Sequence, residues 1–109
     1  MANGRIQIMT NILFICNQNE NRSKTAEELT PGSKSAGLYS EKSPVTEELM
    51  NWAETIVVFE QRQVDELKKR FPKQCFDTPI YNLDIKDLYD YGAGQLEKEV
   101  KTKLKAVKL

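Results

Sequence analysis

The strongest constraint on this chain is a run of apolar residues too short for a helix and too apolar for an exposed strand. Residues 11–16 read NILFIC. An uninterrupted run of this kind marks a strand buried on both faces, as in a parallel sheet. Shorter runs follow at 35–38 (SAGL), 55–59 (TIVVF, rich in β-branched residues) and 79–83 (PIYNL). Amphipathic segments separate them. Residues 23–29 (SKTAEEL) predict a helix that Pro31 and Gly32 break. Thr46 is placed to cap a helix running to Ala53, with Leu49 and Met50 inside it. Residues 61–71 carry Val64, Leu67 and Phe71 on one stripe, and Pro72 ends that helix. Residues 84–94 form an acidic, aromatic loop, and beyond Gly94 Leu96, Val100, Leu104 and Val107 recur at helical spacing.

Strands alternating with helices predict an α/β fold. The expected architecture is a single-domain, three-layer α/β/α sandwich with a central four-stranded parallel sheet and right-handed crossovers. Residues 11–109 make up that domain. Residues 1–10 read as an N-terminal extension or a lead-in to the first strand, and Met9 is a candidate original start.

Composition narrows the function. With 109 residues, 39% hydrophobic and 29% charged, the chain suits one soluble globular domain. No apolar run approaches the roughly 20 residues of a membrane helix, and residues 1–10 show no secretory signal pattern. Sixteen basic and sixteen acidic residues cancel, which argues against a nucleic-acid or membrane-surface binder. The absence of His removes Ser–His and Cys–His catalysis and most zinc sites. The two cysteines, Cys16 and Cys75, make no disulfide framework, so a reducing cytoplasm is the default. A monomer is expected.

Ligands of open parallel sheets bind beyond the carboxyl ends of the strands. The segments after Cys16, Phe59 and Leu83 should therefore meet. The first of them, residues 16–23, reads CNQNENRS and leads into a helix. A tight loop at a helix N-terminus aims N–H groups and the positive dipole end at one point. That point stabilises a thiolate and then a phosphate dianion. Arg22 can grip two phosphate oxygens with its planar fork. Ser23 can hydrogen-bond the sulfur when it departs as a thiolate. Asn19 and Asn21 both tolerate the left-handed backbone such a loop requires.

The pattern ILFIC-x5-RS-x-x-AEEL resembles the opening of the low-molecular-weight protein tyrosine phosphatases, in particular their short microbial members. SAGL resembles the family's S-A-G-T strand. TIVVFEQRQVDEL resembles the strand entering an M-T-x-x-H turn, and DIKDLYDY, at 84–91, resembles the D-P-Y-Y stretch. The resemblance implies hydrolysis of a phosphomonoester, on a phosphotyrosine protein or a small aryl phosphate, with no metal or cofactor. Cys16 would form a phosphocysteine. Arg22 and the loop of Asn17, Gln18, Asn19, Glu20, Asn21 and Ser23 would bind the phosphate. Asp87 would be the general acid, with Asp84 and Asp90 as alternatives, and Tyr89 would flank the aryl ring.

Four positions depart from the family pattern. Gln18 replaces a Gly, Glu20 replaces an apolar or basic residue at the mouth, Asn21 replaces a second loop cysteine, and Leu88 replaces the Pro of D-P-Y-Y. Arsenate reduction on the same fold and a weakly active oxyanion-binding or regulatory module are the alternatives. Cys75 reads as a passive, half-buried thiol, Trp52 and Phe59 as packing residues, and Tyr81 and Tyr91 as structural.

Overall fold

The computed structural model describes residues 10–89 and 93–107. Residues 1–9 of the expected 1–10 extension and the candidates Asp90 and Tyr91 lie outside the described residues. The elements run β1 (Ile12–Cys16), α1 (Arg22–Leu29), β2 (Lys34–Gly37), α2 (Glu47–Trp52), β3 (Thr55–Val58), α3 (Gln61–Arg70), α4 (Pro72–Asp77), β4 (Ile80–Asn82) and α5 (Gly94–Ala106). The strands form one four-stranded sheet in the order β2-β1-β3-β4, with every pairing parallel.

Strand periodicity divides the core into two faces. Leu13 and Ile15 of β1 join Ile56, Val58, Met50, Val64 and Leu67 on the face that also receives Phe71 and Cys75. Phe14 and Cys16 join Ala26, Val57, Phe59, Leu96 and Val100 on the other. NILFIC is apolar throughout because both sets of side chains are covered. The same alternation puts the Cys16 sulfur on the α1 and α5 side.

Most local signals act as the sequence suggests. Thr46 caps α2 by accepting the Leu49 N–H at 3.1 Å. Pro72 does more than end a helix. Phe71, just before it, leaves helical geometry at φ −131° and ψ 59°, and Pro72 then starts α4 from its first turn. Proline disfavours helical backbone in the preceding residue while its own φ suits a helix start, so one residue both stops α3 and opens α4.

The connection from β1 leads to β2 on one side, whereas β3 lies on the other. The loops after β1 and β3 diverge there and leave a crevice beyond the strand ends, the position that open α/β sheets use for ligands. No helix among the described residues is long and apolar enough to cross a membrane.

Candidate active site

Cys16 ends β1 and is only 3% exposed. The loop that follows folds back over it. Asn19 sits in the left-handed region at φ 57°, and its N–H donates to the Cys16 sulfur at 3.2 Å. Asn21, expected to share that conformation, instead has φ −114°. One left-handed residue completes the reversal, and Asn21 serves as the N-cap of α1, where its backbone carbonyl accepts the Thr25 N–H at 2.9 Å.

Ser23, fully buried in the first turn of α1, brings its hydroxyl to 2.9 Å from the sulfur and 2.7 Å from Asn19 Oδ1. One hydroxyl proton cannot serve both acceptors. With a neutral thiol, the S–H donates to Ser23 Oγ and Ser23 donates to Asn19. With a thiolate, the Ser23 proton turns to the sulfur.

Neighbouring strands set the loop. The β1–β2 ladder continues past the strands, with Leu38 N–H donating to Cys16 O and Tyr39 N–H to Asn17 O, both at 2.8 Å. Gly37 pairs with Cys16 across this ladder. A Cβ at Gly37 would lie 2.7 Å from Asn19 N and 2.8 Å from Asn17 O, so only glycine lets the loop lie this close.

Arg22 is 1% exposed, and its guanidinium stands 5.8 Å from the Phe59 ring centroid. Both N–H bonds of Nη1 are taken, by Glu60 Oε2 at 2.7 Å and Ile85 O at 2.8 Å. Nε is buried without a hydrogen-bond partner, and Asp87 Oδ1 is 3.9 Å from it. A buried donor left unpaired is a group that a native structure ordinarily satisfies, and this one belongs to a residue sharing a cavity with Cys16. Burial pushes the Glu60 carboxyl up, but the hydrogen bond and charge of Arg22, with those of Arg62, outweigh it and hold Glu60 below its ordinary 4.5.

A cavity of about 30 Å³ joins these groups, lined by Cys16, Asn17, Gln18, Glu20, Asn21, Arg22 and Asp87. Seven of the ten residues expected at the site therefore line one space, and Ser23 and Asn19 lie immediately behind the sulfur. The tenth, Tyr89, is placed elsewhere. Its hydroxyl donates to Glu99 of α5 at 2.9 Å, which raises the phenol above its ordinary 10.0, and its ring packs on the α5 side of the core. Asp84 occupies a left-handed turn at φ 56° outside this cavity.

A wider groove of about 770 Å³ adjoins the loop's outer wall and is closed on the far side by Tyr39, Ser40, Glu41 and Lys42. Arg70 of α3 steadies that side, with its guanidinium 5.2 Å from the Tyr39 ring centroid and Nη1 donating to Leu38 O at 2.8 Å.

Two contributors had no sequence signal. Gln63, fully buried, accepts from Phe59 N–H at 2.8 Å and Glu60 N–H at 3.1 Å, and donates to Asn17 Oδ1 at 3.0 Å. Glu60 binds Arg22. Glu60 is the N-cap of α3 and Gln63 lies in its first turn, on the segment after β3 that topology brought to the site.

No protein-family model matches the chain, and no curated protein sequence matches it. Solved structures do. A low molecular weight protein tyrosine phosphatase from Bacillus subtilis superposes with TM-score 0.61 at 19% identity, covering 91% of this chain and 99% of that one. Wzb, a tyrosine phosphatase from Escherichia coli K30 solved with phosphate, gives 0.71 at 17% identity, covering 91% and 96%. The YwlE arginine phosphatase from Geobacillus stearothermophilus gives 0.64 at 20% identity, covering 92% and 94%. The chain thus has the fold of the low-molecular-weight protein tyrosine phosphatases.

Proposed function

We propose that this chain is a cysteine-dependent phosphatase that hydrolyses phosphomonoesters through a phosphocysteine. The observation that carries the reading is the buried, unpaired Arg22 Nε, on a residue that lines one cavity with Cys16, whose sulfur accepts one backbone N–H and touches the Ser23 hydroxyl. An incoming phosphate takes Nε and the loop amides. The Cys16 thiolate attacks phosphorus in line, the S–P bond forms and the P–O bond to the leaving group breaks. Asp87 gives its proton to the departing oxygen. Water then attacks phosphorus while Asp87 takes a proton from it, and the S–P bond breaks with the electron pair returning to sulfur. Ser23 donates its proton toward that sulfur. Release of phosphate from p-nitrophenyl phosphate in the presence of a chelator tests this, and Cys16→Ser should abolish turnover.

A second reading concerns the substrate. Glu20 and Asp87 both face the cavity. Two carboxylates around a phosphate pocket favour a leaving group that is cationic, such as the guanidinium of phosphoarginine. The arginine phosphatase among the structural neighbours shows that the fold hosts such an enzyme. Comparing kcat/KM on phosphoarginine and on an aryl phosphate separates the two, and Glu20→Lys should shift the ratio toward the aryl ester.

Arsenate reduction needs a second thiol within reach of Cys16. Cys75 packs on the opposite face of the sheet, so the pair cannot form a disulfide without unfolding the core. Two free thiols suit a reducing compartment, and we place the protein in the cytoplasm as a monomer.

A further inference from the structure

We infer that Glu60 is a positioning residue for Arg22, fixing the guanidinium so that its Nε edge faces the phosphate above Cys16. The inference rests on the phosphatase reading of this site.

The geometry is specific. A guanidinium has five N–H donors in one plane. Glu60 Oε2, at 2.7 Å, and Ile85 O, at 2.8 Å, take both donors of Nη1. Those acceptors come from two different segments, the N-cap of α3 and the stretch after β4. Together they fix the plane of the group and leave the Nε and Nη2 edge, the fork that matches two phosphate oxygens. Glu60 is itself held. Its Oε1 accepts from Arg62 Nε at 3.0 Å, and its backbone N–H donates to Gln63 Oε1 at 3.1 Å. Gln63, from the same turn, ties Asn17 at the other end of the loop. One short turn therefore grips the loop's first residue and the arginine that follows it.

Glu60 has two opposing effects. It orients the fork, and its negative charge offsets part of the attraction that Arg22 exerts on a dianion. The two effects separate by substitution. Glu60→Gln keeps an acceptor for Nη1 but removes the charge. Glu60→Ala removes the acceptor and lets the guanidinium turn.

The test uses the full chain, with steady-state turnover of p-nitrophenyl phosphate and, independently, inorganic phosphate binding by calorimetry. Circular dichroism confirms folding. In Glu60→Ala, kcat should fall at least about 10-fold through lost orientation while alkylation of Cys16 by iodoacetate keeps its rate. In Glu60→Gln, kcat should stay within about threefold, and phosphate should bind roughly 3–10-fold more tightly as the opposing charge is removed. Wild-type kcat in Glu60→Ala overturns the proposal, as does a Glu60→Gln variant that loses as much kcat as Glu60→Ala. If Glu60→Ala does not fold, the Glu60→Gln arm decides, and unchanged or weaker phosphate binding there overturns the proposal. A wild type that binds phosphate without turnover would sink the phosphatase reading instead, and the phosphate-binding arm would still judge Glu60.

Discussion

The Cys16 sulfur and the Ser23 hydroxyl lie 2.9 Å apart, one at the end of β1 and the other in the first turn of α1. A strand end and a helix start are rigid elements, so the pair needs no loop motion to meet. A hydrogen bond to a charged group is worth about 1.5–3 kcal/mol. If the bond acts when sulfur departs as a thiolate, Ser23→Ala should lower kcat about 10–100-fold with little change in KM. Rapid-quench kinetics should then show phosphocysteine accumulating, because its breakdown is the slowed step.

Gly37→Ala tests the close approach of β2 to the loop. The added methyl would meet three backbone atoms, Asn19 N, Gln18 C and Asn17 O, all within 2.8 Å. Backbone cannot rotate out of the way as a side-chain tip can. Overpacking of this kind costs about 1–3 kcal/mol, and each kcal/mol lowers Tm by about 4–8 °C in a domain near this size. A melt should show that fall, and turnover should drop with it because the sulfur's N–H donor is the residue displaced.

Asp87 is expected to supply the proton to the leaving group. Asp87→Asn should reduce turnover of phenyl phosphate by roughly 100-fold. The effect on p-nitrophenyl phosphate should be much smaller, since its leaving group departs readily without a proton. A loss confined to Asp84→Asn would reassign the acid.

The strands and the sulfur loop were legible because each is written locally. A parallel strand covered on both faces has to be apolar throughout, and a loop that binds an anion has to combine a helix start with a fixed cation. The partners of that loop were not local. Glu60 lies 38 residues from Arg22 and Gln63 lies 46 from Asn17, and no periodicity connects them. Helix α4 was missed because Pro72 reads as a stop, although the same ring geometry favours a start. Asn21 had the right chemistry for a left-handed turn, but Asn19 alone completes the reversal. Tyr89 was expected beside a substrate ring, but Glu99 on α5 draws its hydroxyl the other way.

Glu60 also makes stability depend on pH. Its folded pKa is lowered from 4.5, so its contribution is complete above that value and is lost as pH falls through the lower folded value. Thermal melts from pH 7 to pH 3 should show wild type losing stability below about pH 4.5, while Glu60→Gln loses less over that window. Parallel curves would assign the acid loss to other carboxylates.

The central claim is that the Cys16 sulfur carries the phosphoryl group. Wild type is mixed with p-nitrophenyl phosphate, quenched within one turnover and mapped by peptide mass spectrometry. The account predicts a burst of nitrophenolate and a phosphoryl adduct on the peptide containing Cys16, with neither in a sample whose Cys16 was alkylated beforehand. Turnover without an adduct at Cys16, or undiminished turnover after alkylation, would contradict it.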